Sequence, residues 1–298
     1  GERIPLALSE TVYGTSLQAD RPQYLADHVV AGRVLVPATG FIEMFLAAGR
    51  DTFPHTPAVL EDLVFSAPLP LSEAPRSVQV VLGSREQGGC KVRVLSEGAP
   101  GKEWSLHATG RVVEGAHAVR PPHFDLHAFM SDAEDELGAA AHYDRCAARA
   151  IAFGDAFRGV CQVWRRGCEA LARIETPSSL ATHVRYEFHP AVLDACLQTA
   201  STFLSQEGSE PFIPLGIARL TIHARPPAAL YSYARLSGER TSDAITTDIF
   251  IYNDQGELIA SVEAFACRRL SEDQRPPDEM DTWFHEIVWS ASQRDATA

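Results

Sequence analysis

Apolar and polar residues alternate along most of this chain with the two-residue period of half-buried strands, and a helical repeat interrupts that pattern twice. VLEDLVF (59–65), SVQVVLG (77–83), CKVRVLS (90–96) and WSLHATGRVV (104–113) read as strands, separated by turn residues such as Gly88-Gly89 and Pro100-Gly101. Ahead of them, TGFIEMFLAAGR (39–50) places Phe41, Met44, Phe45 and Ala48 on one helical face. The same order returns later. HPAVLDACLQTASTFL (189–204) reads as a helix, and LGIARLTIHA (215–224), LYSYARLSG (230–238), AITTDIFIYN (244–253) and ELIASVEAFACRRL (257–270) follow it as strands. Asn253-Asp254-Gln255-Gly256 is the hairpin turn joining the last two. Upstream of the second helix, GVCQVWRRG (159–167) and CEALARIE (168–175) form a further hairpin. The repeat is one of element order, not of residue identity.

This grammar divides the chain into an N-terminal unit (1–115), a linker (116–140), a C-terminal unit (141–272) and a tail (273–298). The linker holds Pro121-Pro122, several histidines and the acidic SDAEDELG, with room for one short helix. The tail, with Trp283, Phe284, Ile287, Val288 and Trp289, reads as a tether to a further domain, and an opening Gly1 in place of Met suits a piece of something longer. Periodicity alone supports an α+β class. A helix followed by a run of antiparallel strands, given twice, suggests a helix wrapped by a curved sheet, given twice.

Composition narrows the function more by exclusion than by indication. Hydrophobic residues make up 45% and charged residues 22%, as in ordinary globular chains. No apolar run is long enough to span a bilayer. A net charge of −13 argues against a nucleic-acid partner, since phosphate binding needs a concentrated Lys/Arg surface. The six cysteines carry no CxxC spacing, which argues against zinc, and without a secretion signal they read as free thiols of a cytoplasmic protein.

Two positions could carry chemistry. His28 stands ahead of the apolar run VVAGRVLVP, with a bend at Gly32-Arg33 leading to the first helix. Helix N-termini offer free backbone N–H groups that stabilise negative charge on a carbonyl oxygen, and the Pro37 carbonyl could fix the imidazole tautomer. A lone histidine beside valines is equally a core residue satisfied by a carbonyl. Asp194 lies within the apolar helix VLDACL, with Gln198 four residues on and therefore on the same face. The plain alternative is an acid that favours its helix N-terminus. Together, a neutral imidazole and a protonated carboxyl are what removal of water from a β-hydroxyacyl group requires. An apolar pocket would hold both in those states.

The spacing HVVAGRVLVP resembles the HxxxGxxxxP motif of dehydratase domains in modular type I polyketide synthases, and DACLQ resembles their DxxxQ/H motif. FGDAF (153–157) is similar to the family's YGPxF, with Phe153 for Tyr and Asp155 for Pro, and IPLGIARL (213–220) is similar to a fourth motif. The resemblance implies a double hot-dog fold, two tandem subdomains with one active site between them. His28 would be the base and Asp194 the acid. Gln198 would hold Asp194 or the hydroxyl, Pro37 would orient His28, and helix amides would receive the thioester oxygen. Tyr143 would line the channel near the leaving hydroxyl, with Gly32, Phe153 and Gly154 supporting the site. The substrate would be a (3R)-3-hydroxyacyl chain on the phosphopantetheine arm of an acyl carrier protein, dehydrated by syn elimination to a trans-2-enoyl thioester. No dissociable cofactor and no metal are implied, and the partners would be the carrier, the other domains of the module and a second copy in a homodimer.

Asp155 could face the channel or solvent. Related double hot-dog domains act as enoyl isomerases, pyran-forming cyclases or product-template cyclases, and a catalytically silent dimerisation module is the non-enzyme alternative. Isomerising relatives tend to lose the acid or its neighbour, whereas Asp194 and Gln198 are both present here.

Overall fold

The computed structural model describes residues 1–5, 10–54, 56, 58–86, 88–98, 103–115, 123–180, 186–204, 210–238 and 241–270. The tail lies outside the described residues. The first half runs β1 (Glu2–Ile4), β2 (Thr11–Leu17), β3 (His28–Val30), β4 (Arg33–Val34), α1 (Ala38–Thr52), β5 (Ala58–Phe65), β6 (Arg76–Glu86), β7 (Gly89–Glu97) and β8 (Trp104–Glu114). The second runs α2 (Leu126–Ser131), β9 (Asp135–Gly138), α3 (Ala139–Ala147), β10 (Ile151–Phe153), β11 (Val160–Arg166), β12 (Glu169–Glu175) and α4 (Pro190–Leu197). It closes with β13 (Phe212–Ile222), β14 (Ala229–Leu236), β15 (Ala244–Tyr252) and β16 (Leu258–Arg269).

Thirteen strands form one antiparallel sheet, in the order β1-β2-β6-β7-β8-β5-β13-β16-β15-β14-β12-β11-β9. The order is a mirror about its middle. In each half the strands of this sheet that precede the helix α1 or α4 lie on the outer side, and the first strand after that helix lies innermost. The innermost strands, β5 and β13, pair antiparallel with Leu60 opposite Leu220 and Val64 opposite Gly216. A Cβ at Gly216 would stand 2.4 Å from the Leu63 carbonyl oxygen, so the close approach of the two strands needs glycine there. Two helices, each wrapped by half of this sheet, make the double hot-dog.

The helices are covered by the sheet rather than laid on its surface. Phe41, Ile42, Phe45, Leu46 and Ala48 of α1 are all buried, whereas Met44, read from periodicity as a core position, is half-buried. Glu43 is buried too, against the pattern. Helix α4 buries Val192, Leu193, Ala195, Cys196 and Leu197. It is shorter than the sequence suggests, because Gln198–Phe203 tighten into a 3-10 helix. Residues 126–138, placed in the linker from sequence, hold α2 and the strand β9. The latter pairs with β11 and closes one edge of the sheet, its acidic residues pointing outward.

Candidate active site

A second, three-stranded sheet ties the halves together at the site. β10 of the second half pairs antiparallel with β3 of the first, Phe153 opposite His28 and Ile151 opposite Val30, and β3 turns into β4. The turn is Ala31-Gly32, with φ of 48° and 77°. Two left-handed residues in succession define the tight hairpin turn whose twist suits its strands, so the glycine of HxxxG serves the backbone. The Leu35 N–H donates to the His28 carbonyl at 3.1 Å, extending the pairing past β4.

The half-buried imidazole of His28 lies against Phe153 and Phe157, with ring centroids 5.8 and 5.1 Å away. Its Nδ1 is 2.9 Å from the Leu35 carbonyl oxygen. A carbonyl can only accept, so Nδ1 carries a proton, and in the neutral ring the lone pair is on Nε2. The orienting carbonyl is therefore Leu35, not Pro37. The reason is the hairpin: paired β3 and β4 return the chain at Leu35 beside His28. Pro37 caps α1, where its carbonyl accepts from the Gly40 N–H at 2.8 Å.

Asp27 makes a latch next to His28. One carboxylate oxygen accepts from the Ala156 N–H at 2.8 Å, and its carbonyl accepts from the Gly154 N–H at 2.8 Å. Gly154 lies so close that a Cβ there would stand 2.3 Å from the other carboxylate oxygen. The glycine of FGDAF thus admits the latch. Asp155 is exposed, facing solvent.

Asp194, in the second turn of α4, keeps a partly accessible surface while protein surrounds it. Burial raises its pKa above the ordinary carboxylate value. A hydrogen bond from Gln198, and the positive charge of His28 whenever that ring is protonated, oppose the rise without cancelling it. The Gln198 amide donates to Asp194 Oδ2 at 2.9 Å and to the Phe157 carbonyl at 3.2 Å, and its Oε1 lies 3.2 Å from Nε2 of His142.

Tyr143 is buried beside this network, and its hydroxyl makes two backbone contacts. It accepts from the Val160 N–H at 2.8 Å and donates to the Phe157 carbonyl at 3.3 Å, and the Arg158 guanidinium sits 4.5 Å over its ring. The hydroxyl ties α3 to the end of FGDAF and the start of β11.

His28, Asp194, Gln198, Tyr143 and Phe153 thus converge from β3, α4, the 3-10 helix, α3 and β10. Sequence reasoning missed Asp27 and His142. His142 shares the buried stripe of α3 with Tyr143 and Cys146, where a polar residue at that spacing was the available signal. Among the described residues, no group of three His, Cys, Asp or Glu side chains is placed to hold a metal ion. No helix among them is long and apolar enough to cross a membrane.

Two family profiles cover both halves: polyketide synthase dehydratase domain over residues 1–97, and polyketide synthase dehydratase N-terminal domain over residues 121–277. The chain belongs to the polyketide synthase dehydratase family. The dehydratase is 32% identical over 86% of its length to a Mycobacterium tuberculosis protein named "Putative inactive phenolphthiocerol synthesis polyketide synthase type I Pks1". It spans 15% of that relative's length. Among solved structures, the dehydratase domain from the CurF module of the curacin polyketide synthase is 25% identical, covers 91% of this chain and 98% of its own, and superposes with a TM-score of 0.84. The CurK dehydratase, solved as inactive mutants bearing a His-to-Phe or an Asp-to-Asn change, is 26% identical. The His-to-Phe form has a TM-score of 0.84 and the Asp-to-Asn form 0.82, over 92% and 91% of this chain and 98% of each solved chain. The family activity is that of a hydro-lyase.

Proposed function

We propose that the dehydratase removes water from a (3R)-3-hydroxyacyl thioester carried on the phosphopantetheine arm of an acyl carrier protein. Nε2 of His28 takes the proton next to the thioester carbonyl, and Asp194 gives its proton to the departing 3-hydroxyl. The Cα–H electron pair becomes the Cα=Cβ bond, the Cβ–O bond breaks, and water leaves. The proton now on His28 then returns to Asp194, resetting both groups. Amides at the start of α1 would face the thioester oxygen as charge develops on it. The reaction needs no dissociable cofactor, because base, acid and activated thioester are all supplied by protein and substrate.

The observation that carries this reading is geometric: a histidine of one half, its Nδ1 held by the Leu35 carbonyl, is set near an aspartate of the other half that is held through one oxygen only. Nδ1–H of His28 is spent on Leu35, leaving a basic Nε2, while burial favours the protonated form of Asp194. The single-residue variants named inactive in CurK, a histidine and an aspartate, suit the same pair. The other domains of a synthase module are the natural partners, with a cytoplasmic homodimer as the assembly the family resemblance implies.

The test incubates the protein with a 3-hydroxyacyl thioester of (3R) configuration on carrier protein and follows the acyl mass. Loss of one water is expected. His28→Ala and Asp194→Asn should each slow it by about 10²-fold or more. Unchanged substrate across several chain lengths, or near-normal rates in either variant, would overturn the assignment.

A further inference from the structure

Gln198 can hold Asp194 in a useful way only if its amide points in one direction. The Phe157 carbonyl and Asp194 Oδ2 both require the NH2 end, at 3.2 and 2.9 Å, so Oε1 must face the other way. There it meets Nε2 of His142 at 3.2 Å, in a buried setting. An amide oxygen cannot donate, so this contact requires the proton of His142 on Nε2. Cys146 Sγ, 3.9 Å from the same nitrogen, is a far weaker partner.

We infer that His142 is a positioning residue of the dehydratase: by anchoring Gln198 Oε1 it keeps an amide N–H on Asp194 Oδ2 and so places the acid proton on Oδ1, the oxygen left to the substrate. The inference rests on Asp194 being the acid. With Oδ2 occupied as an acceptor, a proton there would point at a donor, so the neutral carboxyl carries its proton on the other oxygen. Without the anchor, the amide swings away from Asp194, the proton distributes over both oxygens, and the carboxyl loses the bond that favours its ionised form.

Around Asp194, the titratable groups are His28 from β3, Tyr143 and Cys146 from α3, Cys196 on α4 itself and Cys267 from β16. Around His142 they are Cys146, Tyr143 and Arg145. Burial raises the three thiols and the phenol, Cys146 to about 12, so they titrate above the assay range. The alkaline limb of kcat therefore reports Asp194.

The experiment measures kcat, KM and the pH profile of kcat for the wild type, His142→Phe, His142→Leu, His142→Gln and Asp194→Asn. His142→Phe and His142→Leu should lower kcat about tenfold with little change in KM and move the alkaline limb to higher pH. His142→Gln, which returns an N–H donor near the place of Nε2, should restore both. A merely structural role would lower kcat without moving the limb. That result, or wild-type kcat and limb in both apolar variants, overturns the inference, as does failure of His142→Gln to restore the limb. Should one apolar variant not fold, the other decides. Asp194→Asn separates the two levels: if it keeps wild-type turnover, the acid assignment itself has failed. If it is inactive while His142→Phe behaves as wild type, only the positioning role has.

Discussion

Each half of the molecule wraps one helix, and each helix buries one carboxyl, yet the two carboxyls are bound differently. Glu43 on α1 accepts backbone N–H groups on both oxygens, from Glu187 at 2.9 Å and Phe188 at 3.1 Å, just before α4 begins. Asp194 on α4 accepts from one side-chain amide on one oxygen. Burial raises both, Glu43 to about 7. A carboxyl with both oxygens occupied by backbone is a clasp between the halves. One with an oxygen left open, facing a histidine from the other half, can pass a proton. The difference lies in the unsaturated valence and not in the burial.

The largest effect expected from this contrast is on stability. Glu43→Ala leaves two buried N–H groups without an acceptor and should cost about 2–5 kcal/mol in denaturant unfolding. Asp194→Asn should unfold within about 1 kcal/mol of wild type. Equal losses in the two variants would erase the distinction.

A somewhat smaller effect concerns pH. The raised value of Glu43 means the folded protein holds its proton more tightly than the unfolded chain. Its stabilisation is thus complete below the ordinary glutamate range and lost as pH rises through about 7. Glu43→Gln cannot titrate. The stability of the wild type relative to this variant should therefore fall by up to about 3 kcal/mol between pH 4.5 and 7.5, read from unfolding curves at each pH. A constant difference would mean that the clasp holds its carboxylate charged throughout.

The smallest effect sharpens the comparison within the second half. Tyr143 lies near Asp194 but is saturated as Glu43 is. Tyr143→Phe should cost about 1–2 kcal/mol of stability and change turnover by no more than a few-fold. A loss approaching that of Asp194→Asn would restore the hydroxyl to the chemistry.

The long strands were legible because their alternation matches a sheet with one face on a core, and the two helices because their apolar stripes exceed what a strand can show. His28 and Asp194 were legible as anomalies, polar residues set in apolar runs, and only the family resemblance joined them. Other features depend on contacts far apart in sequence. β3, β4 and β10 are two or three residues each, too short to show a period, and β10 is placed only by its pairing with β3 across the halves. No periodicity reveals that Leu35, not Pro37, returns to His28. Nor does it reveal that Gly154 is small for the sake of Asp27, or that Glu43 reaches the chain before α4. The acidic β9 reads as linker because an edge strand needs no apolar face.

The pairing of β5 with β13 also has a bearing on synthesis. Residues 58–65 leave the ribosome long before residues 212–222, so during translation the first half presents an open strand edge beside the exposed Val64. The nascent chain must keep that edge from other partners until its own second half arrives, a kinetic demand that lengthens with slow elongation and eases only when the last strands are made.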